Sequence, residues 1–319
     1  MRRFGKILVG VEFSQTDDPK SRELTSCSRA AFNCALWLAE ANEAELTIFT
    51  AVDIPAPLEG YFGDRMGQVS REIDKDIDRV LEALVAEAAE RKISAHPRRA
   101  FGKPSVEIIK EVESEGIQLV VIGTRDLSRA GRILFGSTGL KLLHRCPCAV
   151  WVTKPGTVCE DLKVLVANDL SDLGLDAMQI AVNLGQVADT KTRVLHAVEH
   201  DLDARFWGLY LSETDISAYR RTLFKNAERA LNEQLLQTDY RTLRYGVQLH
   251  VVDGPPDQAI LKAVKEYEID LLVMGTIARS GVSRMLIGNT AERLLSQVGC
   301  SVLAIKPGGL SRMGAAPTK

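Results

Sequence analysis

The sequence lacks several features that would settle its role at once. It has no Cys-x-x-Cys pair, and its six cysteines (Cys27, Cys34, Cys146, Cys148, Cys159 and Cys300) are scattered. That excludes a dense disulfide framework and fits a reducing compartment. The nearest thing to a metal cluster is His144-Arg-Cys146-Pro-Cys148, which has no evident fourth ligand. Pro147 there reads as a turn before the buried strand Cys148–Val152, so no metal is expected. No run reaches 18 apolar residues, so no membrane span is expected. The apolar stretch Ile7–Val11 behind the two leading arginines closes at Glu12, too soon for a signal peptide. Charge of one sign is missing too. The 40 basic and 42 acidic residues leave −2, and residues 1–155 carry 22 of each. Neither half has the basic footprint of a nucleic-acid binder. Of five histidines, only His144 and His196 fall in tight motifs, and both read as packing residues. No nucleophile stands beside a clear base, so catalysis is not expected. The composition points to a cytoplasmic protein.

What the sequence does contain is itself, twice. Lys6-Ile-Leu-Val-Gly-Val-Glu12-Phe-Ser14 matches Lys163-Val-Leu-Val-Ala-Asn-Asp169-Leu-Ser171. Gly102-Lys-Pro104 matches Gly254-Pro-Pro256, Leu119–Gly123 matches Leu271–Gly275, and Lys154-Pro155 matches Lys306-Pro307. The offset is 157 residues at the first motif and 152 from the Gly-x-Pro turn onward, a net difference of five. The period is a whole domain and not a short solenoid unit. The expected domains are residues 1–156 and 157–310, with a flexible tail over 311–319.

Each half alternates short apolar runs with amphipathic stretches. Strands are expected at Ile7–Val11, Leu46–Val52, before Gly102, before Gly123 and before Lys154, with counterparts in the second half. Helices are expected near Ser26–Ala41 and Leu175–Ala188, and a longer one follows the second strand, marked by Ile73, Ile77, Leu81 and Leu84 at helical spacing. Such alternation argues an α/β fold, two tandem doubly wound domains with a five-stranded parallel sheet in each and helices on both faces. Ligands of such sheets bind at the carboxyl ends of strands where strand order reverses. If strands one and four are neighbours, the Glu12 and Gly123 ends meet there, and so do Asp169 and Gly275.

The residues at that point support two readings. Gly123, a loop, and then Gly136-Ser137-Thr138 opening a helix could cradle a phosphate. Arg125, Arg129 and Arg132 could neutralise its charge. Equally, Gly136 could serve a tight turn, Ser137 a helix cap, and the arginines could be solvated. The loop is not a Walker P-loop, since no Gly-Lys-Ser/Thr stands there. Glu12 with Ser14, and Asp169 with Ser171, could meet a ribose or base edge, or could cap the loops that follow. The stretches Asp53–Phe62 and Glu199–Tyr210 carry aromatics that could cover an apolar groove or the core.

Together these motifs resemble the universal stress protein family in its tandem form, over nearly the whole chain. Gly288-Asn289-Thr290-Ala-Glu292 is similar to the tandem members called E-type. The resemblance implies the strand order 3-2-1-4-5 in each domain, an internal pseudo-dimer, and stress-response work done through a bound small molecule and protein partners. A homodimer is a further expectation. Nucleotide-binding members carry Gly-x-x-Gly, nine residues, then Gly-Ser or Gly-Thr, a loop that holds the phosphates and ribose of ATP. Here Gly123, Gly136 and Ser137 match, but the second glycine is Asp126. In the other half Gly275 and Gly288 match, but Ala278 and Asn289 replace the second glycine and the serine. Asp126 adds negative charge near a polyphosphate. Arg279, Ser280, Gly281 and Arg284 leave the second loop basic. The resemblance therefore implies ATP, ADP or AMP in one half. The second half is favoured, with Asp169 as the base- or ribose-side carboxylate and Ser171, Gly275, Gly288, Asn289 and Thr290 around it. The first-half set is Glu12, Ser14, Gly123, Gly136, Ser137 and Thr138. A scaffold or carrier of an apolar or mixed ligand and a slow ATPase are the competing readings.

Overall fold

The computed structural model describes residues 4–14, 23–53, 64–124, 135–159, 161–199, 210–276 and 288–307. The chain divides into two compact units, the first running to Thr157 among the described residues and the second running Val158–Pro307. In the first, β1 (Lys6–Gly10), α1 (Ser26–Asn42), β2 (Glu45–Val52), α2 (Asp64–Glu90), β3 (Ala95–Phe101), α3 (Pro104–Glu115), β4 (Leu119–Gly123), α4 (Ser137–Arg145) and β5 (Ala149–Thr153) follow in turn. In the second come β6 (Lys163–Ala167), α5 (Asp172–Val187), β7 (Lys191–Val198), α6 (Glu213–Leu235), β8 (Val247–Asp253), α7 (Pro256–Glu266), β9 (Leu271–Gly275), α8 (Asn289–Leu295) and β10 (Ser301–Ile305).

Within the first unit the strands pair in parallel in the order β3-β2-β1-β4-β5. Within the second they pair in parallel as β8-β7-β6-β9-β10. Both are the order 3-2-1-4-5. The central strands are closed off from water on both faces. Ile7, Leu8, Val9 and Leu119, Val120, Val121 are wholly buried, as are Val164, Leu165, Val166 and Leu271, Leu272, Val273. Continuous apolar runs of this kind are the signature of parallel strands covered by helices on both sides. The third strands are different. β3 is mostly exposed and carries His96, Pro97, Arg98 and Arg99, a set that suits a sheet edge.

The repeated turn motif has a local cause. Gly102 and Gly254 take φ of 137° and 109°, which a side chain would resist. Their N–H groups donate to the Val52 and Val198 carbonyls at 2.9 and 3.1 Å. Pro104 and Pro256 then open α3 and α7, where a missing N–H costs nothing.

The five-residue difference between the halves turns out to be two opposed changes. Lys163 stands 157 residues after Lys6, but Lys191 stands only 146 after Glu45, and Val247 stands 152 after Ala95. The first unit therefore carries the longer connection after its first strand, and the second carries the longer stretch between its second and third. In the first unit that connection is pinned where it leaves and returns by an antiparallel bridge between Phe13 and Leu24.

One titratable group sits badly in this frame. His250 on β8 is half-buried, with its ring 5.4 Å from that of Tyr267, and the Arg193 guanidinium lies over the same tyrosine at 4.6 Å. Burial first, and the Arg193 charge second, hold the imidazole below its ordinary pKa, with Glu266 pulling weakly the other way. The folded state thus resists protonation that the unfolded chain accepts near pH 6.5. Stability should fall as pH drops below about 6.5, until the lower folded pKa is passed. His250→Gln should flatten this loss, read as the urea midpoint of wild type and variant between pH 7.5 and 5.5. Parallel curves would show that His250 is not its source.

Candidate functional site

The order 3-2-1-4-5 reverses between β1 and β4, where Gly10 pairs with Ile122. The chain leaves these two strands toward opposite faces of the sheet, so a crevice opens beyond their carboxyl ends. In the first unit it is a cavity of about 460 Å³. Its apolar wall comes from Val11, Phe49, Ile108 and Ile122. Its polar wall comes from Glu12, Thr25, Ser28, Thr124 and Thr138.

Each polar group is held by a traceable contact. The Glu12 N–H donates to Ser28 Oγ at 2.8 Å, and the Glu12 carbonyl accepts from the Thr25 N–H at 3.1 Å. The backbone is thus tied to the start of α1 while the exposed carboxylate stands at the rim. Thr25 caps α1, its Oγ1 accepting from the Ser28 N–H at 3.1 Å. Across the cavity α4 starts behind its N-cap Gly136, which has no side chain to cap the first turn, and no acid stands in that turn. Its uncapped amides and its dipole favour an anion. Thr138, in that turn, lines the cavity. Thr124 is 4% exposed, and its Oγ1 has no hydrogen-bond partner among the described residues. Buried hydroxyls are ordinarily satisfied, so this one calls for an explanation.

Family models of the "Universal stress protein family" match residues 3–154 and 162–306, nearly all of both units. The chain belongs to the universal stress protein family. It is 27% identical over 210 residues to the universal stress protein E homolog of Haemophilus influenzae, covering 63% of this chain and 65% of that one. With universal stress protein E of Escherichia coli it shares 28% over 211 residues, 64% of this chain and 66% of that one. With the Photorhabdus laumondii protein of the same name it shares 25% over 329 residues and 97% of both chains. The matched stretch is thus just under two-thirds of the first two relatives. In fold, the chain is similar to a universal stress protein from Archaeoglobus fulgidus, with a TM-score of 0.62 at 21% identity over 95% of this chain and 99% of that one. A Pseudomonas aeruginosa structure is similar to it with a TM-score of 0.67 at 20% identity, over 98% and 97%.

Of the first-half residues singled out in the sequence of this universal stress protein, Glu12, Gly123, Gly136 and Thr138 meet at the cavity. Ser14 and Ser137 are not among its lining residues. Ser14 is engaged with the returning chain, its N–H donating to the Glu23 carbonyl at 2.8 Å and its Oγ to the same oxygen at 3.1 Å. Ser137 is exposed at the start of α4. Gly123 is explained by packing before any ligand is invoked. A Cβ there would stand 2.4 Å from the Cys27 carbonyl oxygen, so α1 could not approach β4.

The second unit fills the corresponding place differently. Asn168 stands where Val11 does. Its Nδ2 donates to the Gly174 carbonyl at 3.1 Å and to Gln234 Oε1 at 2.9 Å, and its Oδ1 accepts from the Leu170 N–H at 2.7 Å. Gln234 Nε2 donates to the Ser171 carbonyl at 3.1 Å. Asp169 Oδ1 accepts from Ser171 Oγ at 2.5 Å and from the Ser171 N–H at 3.1 Å, while Ser171 Oγ caps α5 by accepting from the Gly174 N–H at 3.2 Å. The carboxylate–serine pair of this half therefore takes part in a helix cap, the simpler of the two sequence readings. Gly275 lies under Leu173, and Gly288, Asn289 and Thr290 open α8, whose first turn contains Glu292. That acid weakens the anion field that α4 keeps. The Thr276 hydroxyl, counterpart of Thr124, donates to the Ile305 carbonyl at 3.3 Å.

Asp126 and Arg125, Arg129 and Arg132 lie outside the described residues, as do Ala278, Arg279, Ser280, Gly281 and Arg284 and most of the two aromatic-bearing stretches. Among the described residues no group of three or more His, Cys, Asp or Glu is placed to hold a metal ion. No described helix is long and apolar enough to cross a membrane. The sequence reading missed Thr124, Thr25, Cys27 and Ser28. For Thr124 a signal was present, since Gly-Thr closes the fourth strand in both halves.

The two loop-opening glycines differ in what they face. Gly123→Ala meets backbone and should cost about 1–3 kcal/mol. Gly275→Ala meets only the Leu173 side chain, Cδ2 at 2.6 Å and Cγ at 2.9 Å, which can shift where a backbone carbonyl cannot, and should cost less. Urea denaturation of both variants checks the order. Equal losses would remove the packing account of Gly123.

Proposed function

We propose that this universal stress protein is a ligand-responsive stress protein whose first unit binds a small molecule with an anionic end, an adenine nucleotide being the leading candidate. It acts through protein partners and not by catalysis. The observation that carries the reading is the cavity lined by Thr124, whose buried hydroxyl has no partner among the described residues, and by the start of α4, whose N-cap glycine supplies no capping side chain. A phosphate suits the α4 amides and Thr138. The Glu12 carboxylate at the opposite rim suits the hydroxyls of a sugar. Val11, Phe49, Ile108 and Ile122 suit the face of a base. We place the protein in the cytoplasm, consistent with six cysteines that form no disulfide.

This moves the favoured half from the second to the first. The polar knot of Asn168, Gln234 and Ser171 occupies the equivalent corner of the second unit, and Glu292 opposes an anion at α8. The apolar wall of the cavity also supports a second reading, a mixed ligand with an acyl or other apolar part.

Mass spectrometry of small molecules released on denaturing the purified protein distinguishes the two. A nucleotide supports the first, an acyl-bearing species the second, and a protein that releases nothing and takes up neither ATP, ADP nor AMP in calorimetry defeats the nucleotide reading. Thr124→Val gives a sharper result. It removes the orphaned hydroxyl at constant shape, so the ligand-free protein should gain about 1 kcal/mol. Nucleotide affinity should fall by about tenfold, one hydrogen bond's worth. A gain in stability with unchanged affinity would take Thr124 out of the site.

A further inference from the structure

One nucleophile in the cavity has no part in the reading above. Cys27 lines the cavity at 7% exposure, as the second residue of α1. It is the only one of the six cysteines among the cavity's described lining residues. The first turn of α1 carries no acid, so its dipole is not offset there. Negative charge developing on a sulfur is favoured at such a helix start. Packing does not demand a thiol at this place. The residue 146 positions on, Leu173, holds the same second position of α5 and covers Gly275 as Cys27 covers Gly123. The other cysteines are placed for inertness. Cys34 lies two turns further along α1 at 2% exposure, and Cys159 and Cys300 are buried at 6% and 3%. Cys146 and Cys148 are buried with their sulfurs 3.5 Å apart, and that contact, followed by burial, pushes the Cys148 thiol up.

The second observation is again Thr124. The residue lines the same cavity, and its buried hydroxyl has no partner among the described residues, so a hydrogen-bonding group is left unmet at the cavity wall. A volume of about 460 Å³ admits a molecule of the size of hydrogen peroxide with room to spare. The one charged side chain among the described lining residues is Glu12, which does not repel a neutral oxidant.

We propose that Cys27 is a hydroperoxide-sensitive thiol, reached through the first unit's cavity, and that it makes this unit responsive to oxidant. The sulfur of the thiolate attacks one oxygen of hydrogen peroxide. The S–O bond forms, the O–O bond breaks, and the leaving hydroxide takes the proton that the thiol gave up. The products are Cys27 sulfenic acid and water, the sulfur being oxidised and the peroxide reduced. Thr124 and Thr138 line the cavity that would receive the new oxygen. A thiol reductant restores the cysteine.

The inference uses the cavity and not the identity of its ligand, so the two can fail separately. The test treats the full chain with limiting hydrogen peroxide, traps sulfenic acid with dimedone, and maps the adducts by peptide mass spectrometry. The expected result is an adduct at Cys27 at least tenfold above that at Cys34, lost in Cys27→Ser, kept in Cys34→Ser, and absent when dithiothreitol precedes dimedone. Adduct spread evenly over Cys27 and Cys34, or concentrated on any other cysteine, overturns the proposal. So does a Cys27 that stays unlabelled while the protein remains folded by circular dichroism. A chain that binds no nucleotide but shows the Cys27 adduct defeats the nucleotide reading and leaves this one standing.

Discussion

The parallel pairing of β1 with β4 is the constraint on which the site depends. Because these neighbours are separated in sequence by two other strands, the chain leaves them toward opposite faces. The backbone ends of both strands therefore face a gap. How deep that gap becomes is set by how closely α1 approaches β4. Gly123 sets this approach, since a side chain there would meet the Cys27 carbonyl. The same contact brings the start of α1 to the cavity wall, which puts Thr25, Cys27 and Ser28 among its lining residues. One missing Cβ thus shapes the wall that a ligand would touch.

The second unit is built on the same frame, and the comparison separates what the frame needs from what it merely permits. Thr50 Oγ1 donates to the Val11 carbonyl at 3.0 Å, and His196 Nδ1 meets the Asn168 carbonyl at 2.8 Å, so both units tie the second strand to the end of the first. At other corresponding places the chemistry parts. Val11 is replaced by Asn168, which joins a polar network, and Cys27 is replaced by Leu173. Among the described residues the Thr124 hydroxyl is unmatched while that of Thr276 is bonded. Charge at the last helix differs as well, with no acid in the first turn of α4 and Glu292 in that of α8.

Much of this was legible in the sequence, and the failures have physical causes. Buried parallel strands are apolar on both faces, so Ile7–Val9 and Leu119–Val121 announce themselves. Gly102 and Gly254 stand where φ must be positive, so the turn repeats visibly. The role of the first strands' carboxylates was harder, because a residue type that can bind a ribose can also cap a helix. Asp169 and Ser171 form a cap, whereas Ser14 binds the returning chain at Glu23. The insertion after β1 was hidden because a compensating length change follows β2, leaving only the net five residues on view. The comparison of the two loops by charge, with Asp126 in the first and Arg279 and Arg284 in the second, pointed to the second unit. It could not register that Asn168 reaches Gln234, a partner 66 residues away.

An orphaned hydroxyl is a small but real burden on a fold. Leaving one buried donor unmet costs on the order of 1–3 kcal/mol, against a total stability of about 5–15 kcal/mol for a typical domain. The fold does not force that cost, since Thr276 occupies the corresponding place with its hydrogen bond made. The first unit keeps this polar group unsatisfied among the described residues, in a cavity lined by both apolar and polar side chains. A guest that offers Thr124 a partner recovers that cost on binding, and a guest that cannot must leave it in place. On the proposed reading, the cavity would therefore discriminate among molecules of similar shape by the atom each presents at Thr124. That discrimination needs no charge, and so it operates alongside the attraction of the α4 amides for an anion.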